Sequence, residues 1–313
     1  MESCLADFQS QWSTALFNGL TVGCVYALIA LGYSMVYGLL DLINFAHGDI
    51  FMIGSFAGLA VLGVTGVSEA ATGLPLVLVL VLAAAVSMLV SGLAAIALEI
   101  VAYRPLRLRG APRHAGMIAG MGASIVIEEG VALILGRNNL PYPAIMPTTS
   151  VLTVGFGTFT NRMLLIVVTT IVMLLVLDWF VQRSRLGRGM RAVSQEPRAA
   201  VLMGVNISKV ILLTFLIGGL AAGLGGFMYG LYYGKANYFL GFVPGIKGLS
   251  AAVLGGVGNM RGAMVGGLVI GLVENFGVIC IPTQLKDVIA FSVLVLVLLF
   301  RPRGLLGARL AAR

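Results

Sequence analysis

Charged side chains are scarce in this chain of 313 residues, where 10% are Asp, Glu, Lys or Arg and 59% are hydrophobic. Soluble domains carry about 25% charged residues, so most of this surface faces something other than water. The three cysteines are far apart in the sequence and match no disulfide or metal spacing. We therefore expect no disulfide, no metal site, no redox role and no cofactor.

The motifs of ATP hydrolysis and of common hydrolases are also absent. No G-x-x-x-x-G-K-[ST] phosphate loop occurs, because the fragment around Lys235 lacks the first glycine and the final hydroxyl. G-x-S-x-G and H-E-x-x-H are likewise missing. The chain is therefore predicted not to be an enzyme, and any energy that it uses must come from a partner or from an ion gradient.

Long apolar runs are abundant. A hydrocarbon core of about 30 Å needs roughly 20 apolar residues in a helix, and helices satisfy their own backbone groups in lipid. The 42 glycines favour close helix packing. We predict an all-α, polytopic integral membrane helical bundle with eight or nine crossings, forming one domain over residues 1–313. The predicted spans are 15–40, 74–98, 117–135, 162–181, 210–233, 262–281 and 285–300, with shorter stretches at 50–64 and 245–257.

The basic residues predict the orientation in the membrane. Fourteen of the 20 lie in the segments 101–114 and 182–209 and in the tail from residue 301. The positive-inside rule places all three, including the C-terminus, in the cytoplasm. The net charge of +8 is thus a topology signal, and it indicates contact with membrane lipid rather than with nucleic acid.

A polar break interrupts the first long apolar region at residues 41–49. Its members Asp41, Asn44, His47 and Asp49 are candidates for lining a translocation pathway. Transporters build solute sites from discontinuous helices with such polar residues. The alternative is a short connecting loop, wetted at the cytoplasmic face.

A second interruption surrounds the short apolar stretch 245–257, which is flanked by glycine clusters. Short, Gly/Pro-interrupted segments in the two halves of a transporter point to a midplane site. The two interruptions are candidate counterparts in a duplicated architecture. Intramembrane acids are costly, so Glu128 and Glu274 are further pathway candidates, with structural pairing or an aqueous rim as the alternative.

The segment 182–209 is predicted to be a turn followed by a short amphipathic helix. Ser194 can cap this helix, Pro197 fits its first turn, and Gly204 and Asn206 can end it. A short helix with an apolar face suits docking into a groove of a partner. The alternative is an interfacial helix that lies on the lipid headgroups. The candidate coupling residues are Arg188, Arg191, Glu196, Ala200 and Gly204.

Several runs of this sequence are similar to a known bacterial family, the H-type permeases of branched-chain amino-acid ABC importers. The similarity extends over nearly the whole chain, and the INFAHGD segment is its most specific part. The runs that carry it are NGLTVGCVYALIALGYSMVYGLLDLINFAHGDIFMIGSF, SRLGRGMRAVSQEPRAAVLMGVN, AAVLGGVGNMRGAMVGGLVIGLVEN, YRPLR and VLVLLFRPRGLLG.

The resemblance implies an import complex in the bacterial inner membrane. This permease would pair with a second permease, either a paralogous M-type subunit or another copy of itself. Two cytoplasmic ATP-binding subunits would dock on it, and a periplasmic substrate-binding protein would deliver solute. The segment from Glu196 to Gly204 occupies the place of the family's ATPase-coupling helix. Some relatives take urea, short-chain amides or aromatic acids, so the resemblance does not fix the solute.

Two other transport mechanisms stay open on the residues alone. In a proton-coupled secondary transporter, His47 and Asp49, or Glu128 and Glu129, would relay protons. A passive channel is favoured only by the glycine content. Both differ from the importer in needing no cytoplasmic ATPase.

Overall fold

The computed structural model describes residues 2–66 and 73–307, and within these ranges the chain is almost wholly helical. Apolar runs of helix formers and interspersed glycines produce helices that bury their faces against one another. The helices are α1 (Glu2–Leu40), α2 (His47–Thr65), α3 (Leu74–Leu98), α4 (Arg104–Leu108), α5 (Arg113–Leu135), α6 (Asn161–Arg183), α7 (Arg185–Gln195), α8 (Pro197–Leu202), α9 (Ile207–Tyr233), α10 (Phe242–Gly255), α11 (Met260–Gly277) and α12 (Lys286–Phe300).

Two short antiparallel strand pairs supplement the helices. The strand β1 (Leu140–Pro141) pairs with β4 (Lys235–Ala236), and β2 (Ser150–Val154) forms a hairpin with β3 (Gly157–Thr160). The hairpin is fastened to α1, where Ser13 Oγ accepts a hydrogen bond from the Gly157 backbone at 2.9 Å.

Seven helical segments are long and apolar enough to span a membrane in the described part of the chain. The predicted all-α, polytopic membrane fold is therefore confirmed. The other two predicted crossings correspond to α10, which is a shorter apolar helix, and to α11, which carries Arg261 and Glu274. The seven segments are Asp7–Leu40, His47–Thr65, Leu74–Leu108, His114–Leu135, Asn161–Arg183, Ile207–Tyr233 and Thr283–Phe300.

The core of the bundle forms around α1, which packs against α9, α10 and α11, while α2 and α3 pack against α9. The α1 side chains Leu28, Ile29 and Leu31 are completely buried there. In contrast, α5 and α12 lie at the periphery, where only 11% and 6% of their apolar membrane-spanning stretches are buried. Those two helices therefore present most of their surface to lipid or to another chain.

Glycines provide the closest helix contacts, as the sequence predicts. A Cβ on Gly271 would lie 2.3 Å from the Gly23 Cα, and one on Gly266 would meet the Ala251 carbonyl oxygen. Gly234 differs from this pattern, because it ends α9 in the left-handed conformation with φ +69° and has open space around it.

The cysteines depart from expectation. Cys280, in the segment between α11 and α12, is disulfide-bonded, so the prediction of no disulfide is wrong. Cys24 is buried in α1 and free. The widely separated cysteines matched no known spacing, because a disulfide depends on spatial proximity and not on sequence distance.

Candidate translocation site and coupling loop

The polar break folds back into the bundle after α1 ends at Leu40. Residues 41–46 are non-helical, and Asp41 takes a positive φ of +56° at the turn. Asn44, His47 and Asp49 are all at least 96% buried. The wetted-loop alternative is therefore wrong for these three side chains, and only Asp41 is exposed. The chain forms a discontinuous helix pair, with α2 starting inside the protein at His47.

His47 occupies a space that a glycine creates. A Cβ on Gly32 of α1 would lie 2.2 Å from the imidazole Nε2, and the Tyr33 ring stands edge-on at 4.8 Å between centroids. The Nε2 atom is buried with no hydrogen-bond partner among the described residues. A buried polar atom without a partner costs free energy, so this nitrogen is a candidate for contact with a solute or water.

Asp49 faces the peripheral helix α5. Ser124 and Glu128 of α5 lie close enough to interact with its carboxylate. Its Oδ2 atom is buried without a hydrogen-bond partner in the described residues. Glu128 itself is only partly buried, on a helix that shows most of its surface to the outside. The structure thus brings two predicted pathway acids, from α2 and α5, to the same side of the bundle.

The starts of α2 and α10 meet in the protein interior. A Cβ on Gly48 would lie 2.5 Å from the Gly241 carbonyl oxygen and 3.2 Å from the Gly245 Cα. The two interrupted segments are therefore neighbours in space, as expected for counterparts in the two halves of a transporter. Only glycines at these positions allow the backbones to approach so closely.

Glu274 lies apart from this junction, in a buried ion cluster. Its Oε1 contacts Lys247 Nζ at 2.7 Å and Lys286 Nζ at 3.2 Å, and Lys247 also contacts Asp287 at 2.6 Å. Lys247 is 96% buried in α10. Lys247 is not among the predicted site residues, although a lone cation inside an apolar stretch of 14 residues was the available signal. The cluster favours structural pairing as the role of Glu274.

Tyr142, in the loop between α5 and α6, packs against the middle of α2. Its ring fills the space beside Gly230, and its hydroxyl hydrogen-bonds to Ser55. Burial raises the pKa of this phenol above its ordinary value. The loop therefore covers the α2–α9 contact with a neutral, hydrogen-bonded tyrosine.

The segment between α6 and α9 contains two helices, where the sequence analysis predicted a turn and one helix. The first, α7, is capped by Ser184, which accepts a hydrogen bond from the Gly187 backbone at 2.9 Å. Ser194 lies inside α7 and bonds to the Arg191 carbonyl oxygen, so its predicted role as a cap is wrong. Asn206 caps α9 by accepting from the Lys209 backbone, so it starts the next helix instead of ending the previous one.

The second helix, α8, spans Pro197–Leu202, and Gly204 with φ +80° stops it two residues later. The predictions of Pro197 in the first turn and of Gly204 as a stop are confirmed. Ala200 is buried against the chain itself, whereas Leu202 and Met203 are 88% and 84% exposed. Val201 is also exposed, so the apolar surface that α8 offers is formed by Val201, Leu202 and Met203, with Ala200 buried beneath it.

The predicted coupling arginines play different parts. Arg191 donates hydrogen bonds to the carbonyl oxygens of Val181 and Gln182 at the end of α6. Gly187 presses against the same turn, where a Cβ would collide with the Val181 backbone. Arg188 is exposed and donates to the Arg183 carbonyl oxygen. Helix α7 is thus rigidly joined to α6, and Glu196 lies exposed between α7 and α8.

Comparison with known proteins identifies the family. Residues 15–298 match the family model described as branched-chain amino acid transport system, permease component. The chain belongs to this family.

Its curated relatives cover nearly the full length. A high-affinity branched-chain amino acid transport system permease protein, BraD of Pseudomonas aeruginosa, is 43% identical over 93% of this chain and 94% of its own. LivH of Escherichia coli K12, with the same description, is 38% identical over the same shares. A probable permease of this type from Methanocaldococcus jannaschii is 24% identical. No solved structure matches the chain.

Proposed function

We propose that this chain is the membrane-spanning permease of an ATP-driven importer for branched-chain or related amino acids. The family match over residues 15–298 carries the proposal, and the relatives named above are permeases of high-affinity branched-chain amino acid transport systems. The family favours an importer subunit over a proton-coupled secondary transporter.

The pathway is proposed to run along the side of the bundle where α2 faces α5. Asn44, His47, Asp49 and Glu128 are its polar wall, with Asp41 at the cytoplasmic entrance to the break. Two unpartnered buried atoms, His47 Nε2 and Asp49 Oδ2, support this assignment. A carboxylate on a peripheral apolar helix is expected to face water or a partner and not lipid. A second permease, paralogous or identical, would therefore complete the wall against α5.

The cytoplasmic ATP-binding subunits are proposed to dock on α8. Leu202 and Met203 form an exposed apolar surface on which a partner can pack. The connection of α7 to α6 through Arg191 would transmit movement of the bound ATPase to the membrane-spanning helices. This assignment places the C-terminus and the basic segments in the cytoplasm of the bacterial inner membrane. The hairpin of β2 and β3 then faces the periplasm, where a substrate-binding protein would deliver solute, and the Cys280 disulfide lies on this oxidising side.

Reconstitution of the complex tests this function. A tagged copy should co-purify with a second permease and two ATP-binding subunits, and proteoliposomes should take up leucine only with ATP and the binding protein. Leu202→Glu should abolish ATPase binding, because it buries a charge in an apolar contact. Gln195→Ala, an exposed change in the same loop, is the control. Uptake by this chain alone under a proton gradient would contradict the proposal.

A further inference from the structure

A ladder of polar side chains follows α3, in a stretch that includes part of the basic segment 101–114 and the YRPLR run. Glu99, Tyr103 and Arg107 are spaced four residues apart, and the turn Glu99–Tyr103 is π-helical. Such turns within α-helices are frequent at functional sites. Glu99 is fully buried, and its Oε1 accepts a hydrogen bond from Arg107 Nη2 at 2.7 Å.

Each member of this ion pair has one charged-group atom without a hydrogen bond among the described residues. Glu99 Oε2 and Arg107 Nη1 are buried and have no hydrogen-bond partner among the described residues. A buried charge pair is stable only if further hydrogen bonds satisfy its remaining atoms. The groups that would complete it are a cation beside the carboxylate and an anion beside the guanidinium. A zwitterionic amino acid carries both.

An apolar cavity of about 350 Å³ has Tyr103 and Arg107 in its wall, and Glu99 lies next to it only through its bond to Arg107. This volume lies at the small end of the range for small-molecule sites, which is about 300–1,000 Å³. Most of the lining is aliphatic, which suits a branched hydrocarbon side chain. The apolar part of the wall includes Leu39, Leu40, Leu42, Leu106, Val193 and Ile211.

The cavity lies between the polar break and the coupling loop. Leu42 belongs to the break, and Val193 and Pro197 belong to α7 and α8. Tyr103 links the ladder to the break directly, because its hydroxyl donates to Asn44 Oδ1 at 2.8 Å. A ligand in the cavity would therefore contact both the proposed pathway and the segment proposed to bind the ATPase.

We propose that Glu99, Arg107 and this cavity form a binding site for a branched aliphatic amino acid on the cytoplasmic side of the pathway. The cavity holds the side chain and Arg107 in its wall turns to bind the carboxylate, which opens Glu99 behind it to the ammonium. The site is one that solute occupies on leaving the permease. This inference rests on the proposed function, since it requires that the solute is an amino acid.

Equilibrium binding of radiolabelled leucine to the purified importer, without the soluble binding protein, tests the site. Glu99→Gln and Arg107→Gln should each weaken leucine binding about tenfold or more, because each removes a charged hydrogen-bond partner. Competition by two analogues separates their roles. Glu99→Gln should lose the preference for leucine over 4-methylpentanoate, which lacks the ammonium. Arg107→Gln should lose the preference for leucine over leucinamide, which lacks the carboxylate.

Two further variants keep the test decisive. Arg109→Gln, an exposed arginine at the end of α4, should bind leucine as the wild type does. Ala111→Leu reduces the cavity without touching the ion pair, so it should weaken leucine binding more than alanine binding even if the glutamine variants fail to fold. If the importer takes up leucine but none of these variants changes binding or analogue preference, the inference is wrong and the proposed function stands. If the importer takes up no branched-chain amino acid, the proposed function fails and the inference with it.

Discussion

The two interrupted segments meet at Gly48 and Gly245, yet they differ in how completely their polar groups are paired. In the break at residues 41–49, His47 and Asp49 each keep a buried atom without a partner in the described structure. In α10, Lys247 is held by two carboxylates. The end of α10 is also fixed, because Leu305 and Leu306 donate backbone hydrogen bonds to the carbonyl oxygens of Leu254 and Gly255.

This difference indicates which of the two segments is suited to respond to solute. When a ligand or water hydrogen-bonds to a buried atom that has no partner, the free energy of the protein falls. No side-chain atom of α10 itself is buried without a partner among the described residues, although Glu274 Oε2 of α11 is. Helix α10 therefore gains nothing of this kind directly and resists movement instead. We therefore interpret the break as the responsive side of the junction and α10 as the fixed support against which it moves.

The largest effect is expected from breaking the ion cluster of α10. Lys247→Met leaves Glu274 buried without its main partner and should reduce the free energy of unfolding by about 3–5 kcal/mol. The double variant Lys247→Met/Glu274→Gln should be more stable than the single one, because it leaves no unpaired charge on either residue. Thermal unfolding of the detergent-solubilised chain measures both. A double variant less stable than Lys247→Met would show that α10 does not depend on this pairing.

A smaller effect is expected at the junction itself. Gly48→Ala places a Cβ within 2.5 Å of the Gly241 carbonyl oxygen, so it should cost about 1–3 kcal/mol by overpacking and reduce transport. Gly122→Ala in α5 is the matched control, because open space surrounds that position. The control should be neutral or stabilising by up to about 1 kcal/mol. Equal stability of the two variants would mean that the helix starts are not tightly packed.

The smallest structural change, but a specific one, is expected from single cysteines in a Cys24→Ser background. Cysteines at Asn44, His47 and Asp49 should react with a small water-soluble thiol reagent, at rates that change with solute or nucleotide. A cysteine at Ser250 of α10, which is similarly buried but lies outside the proposed pathway, should stay unreactive throughout. Rates in the break that respond to neither solute nor nucleotide would remove the functional difference between the two segments.

Much of the fold could be predicted from the sequence, because membrane spans follow from the length of apolar runs. The glycine contacts and the limits of α8 were likewise predictable, since they depend on local backbone preferences. The polar break could be located, but its burial could not, because burial depends on which helices surround it. A wetted loop and a buried turn have the same composition.

The missed residues share one cause. Glu99 lies one residue beyond the predicted span 74–98, and Arg107 was assigned to topology because basic residues near span ends usually signal orientation. Only the π-helical turn and the helical continuation to Leu108 bring the two side chains together. Lys247 was missed for a similar reason, since its partners Glu274 and Asp287 are 27 and 40 positions away in the sequence. Charge pairing across such distances leaves no local pattern.

The backbone hydrogen bonds from Leu305 and Leu306 to the end of α10 also set an order of assembly. Helix α10 is synthesised about fifty residues before the segment that satisfies its last carbonyl groups. The C-terminal end of α10 therefore cannot reach its final form while the ribosome still holds residue 306. A premature stop before codon 305 would leave a chain that inserts normally but in which the last carbonyl groups of α10 have lost these partners.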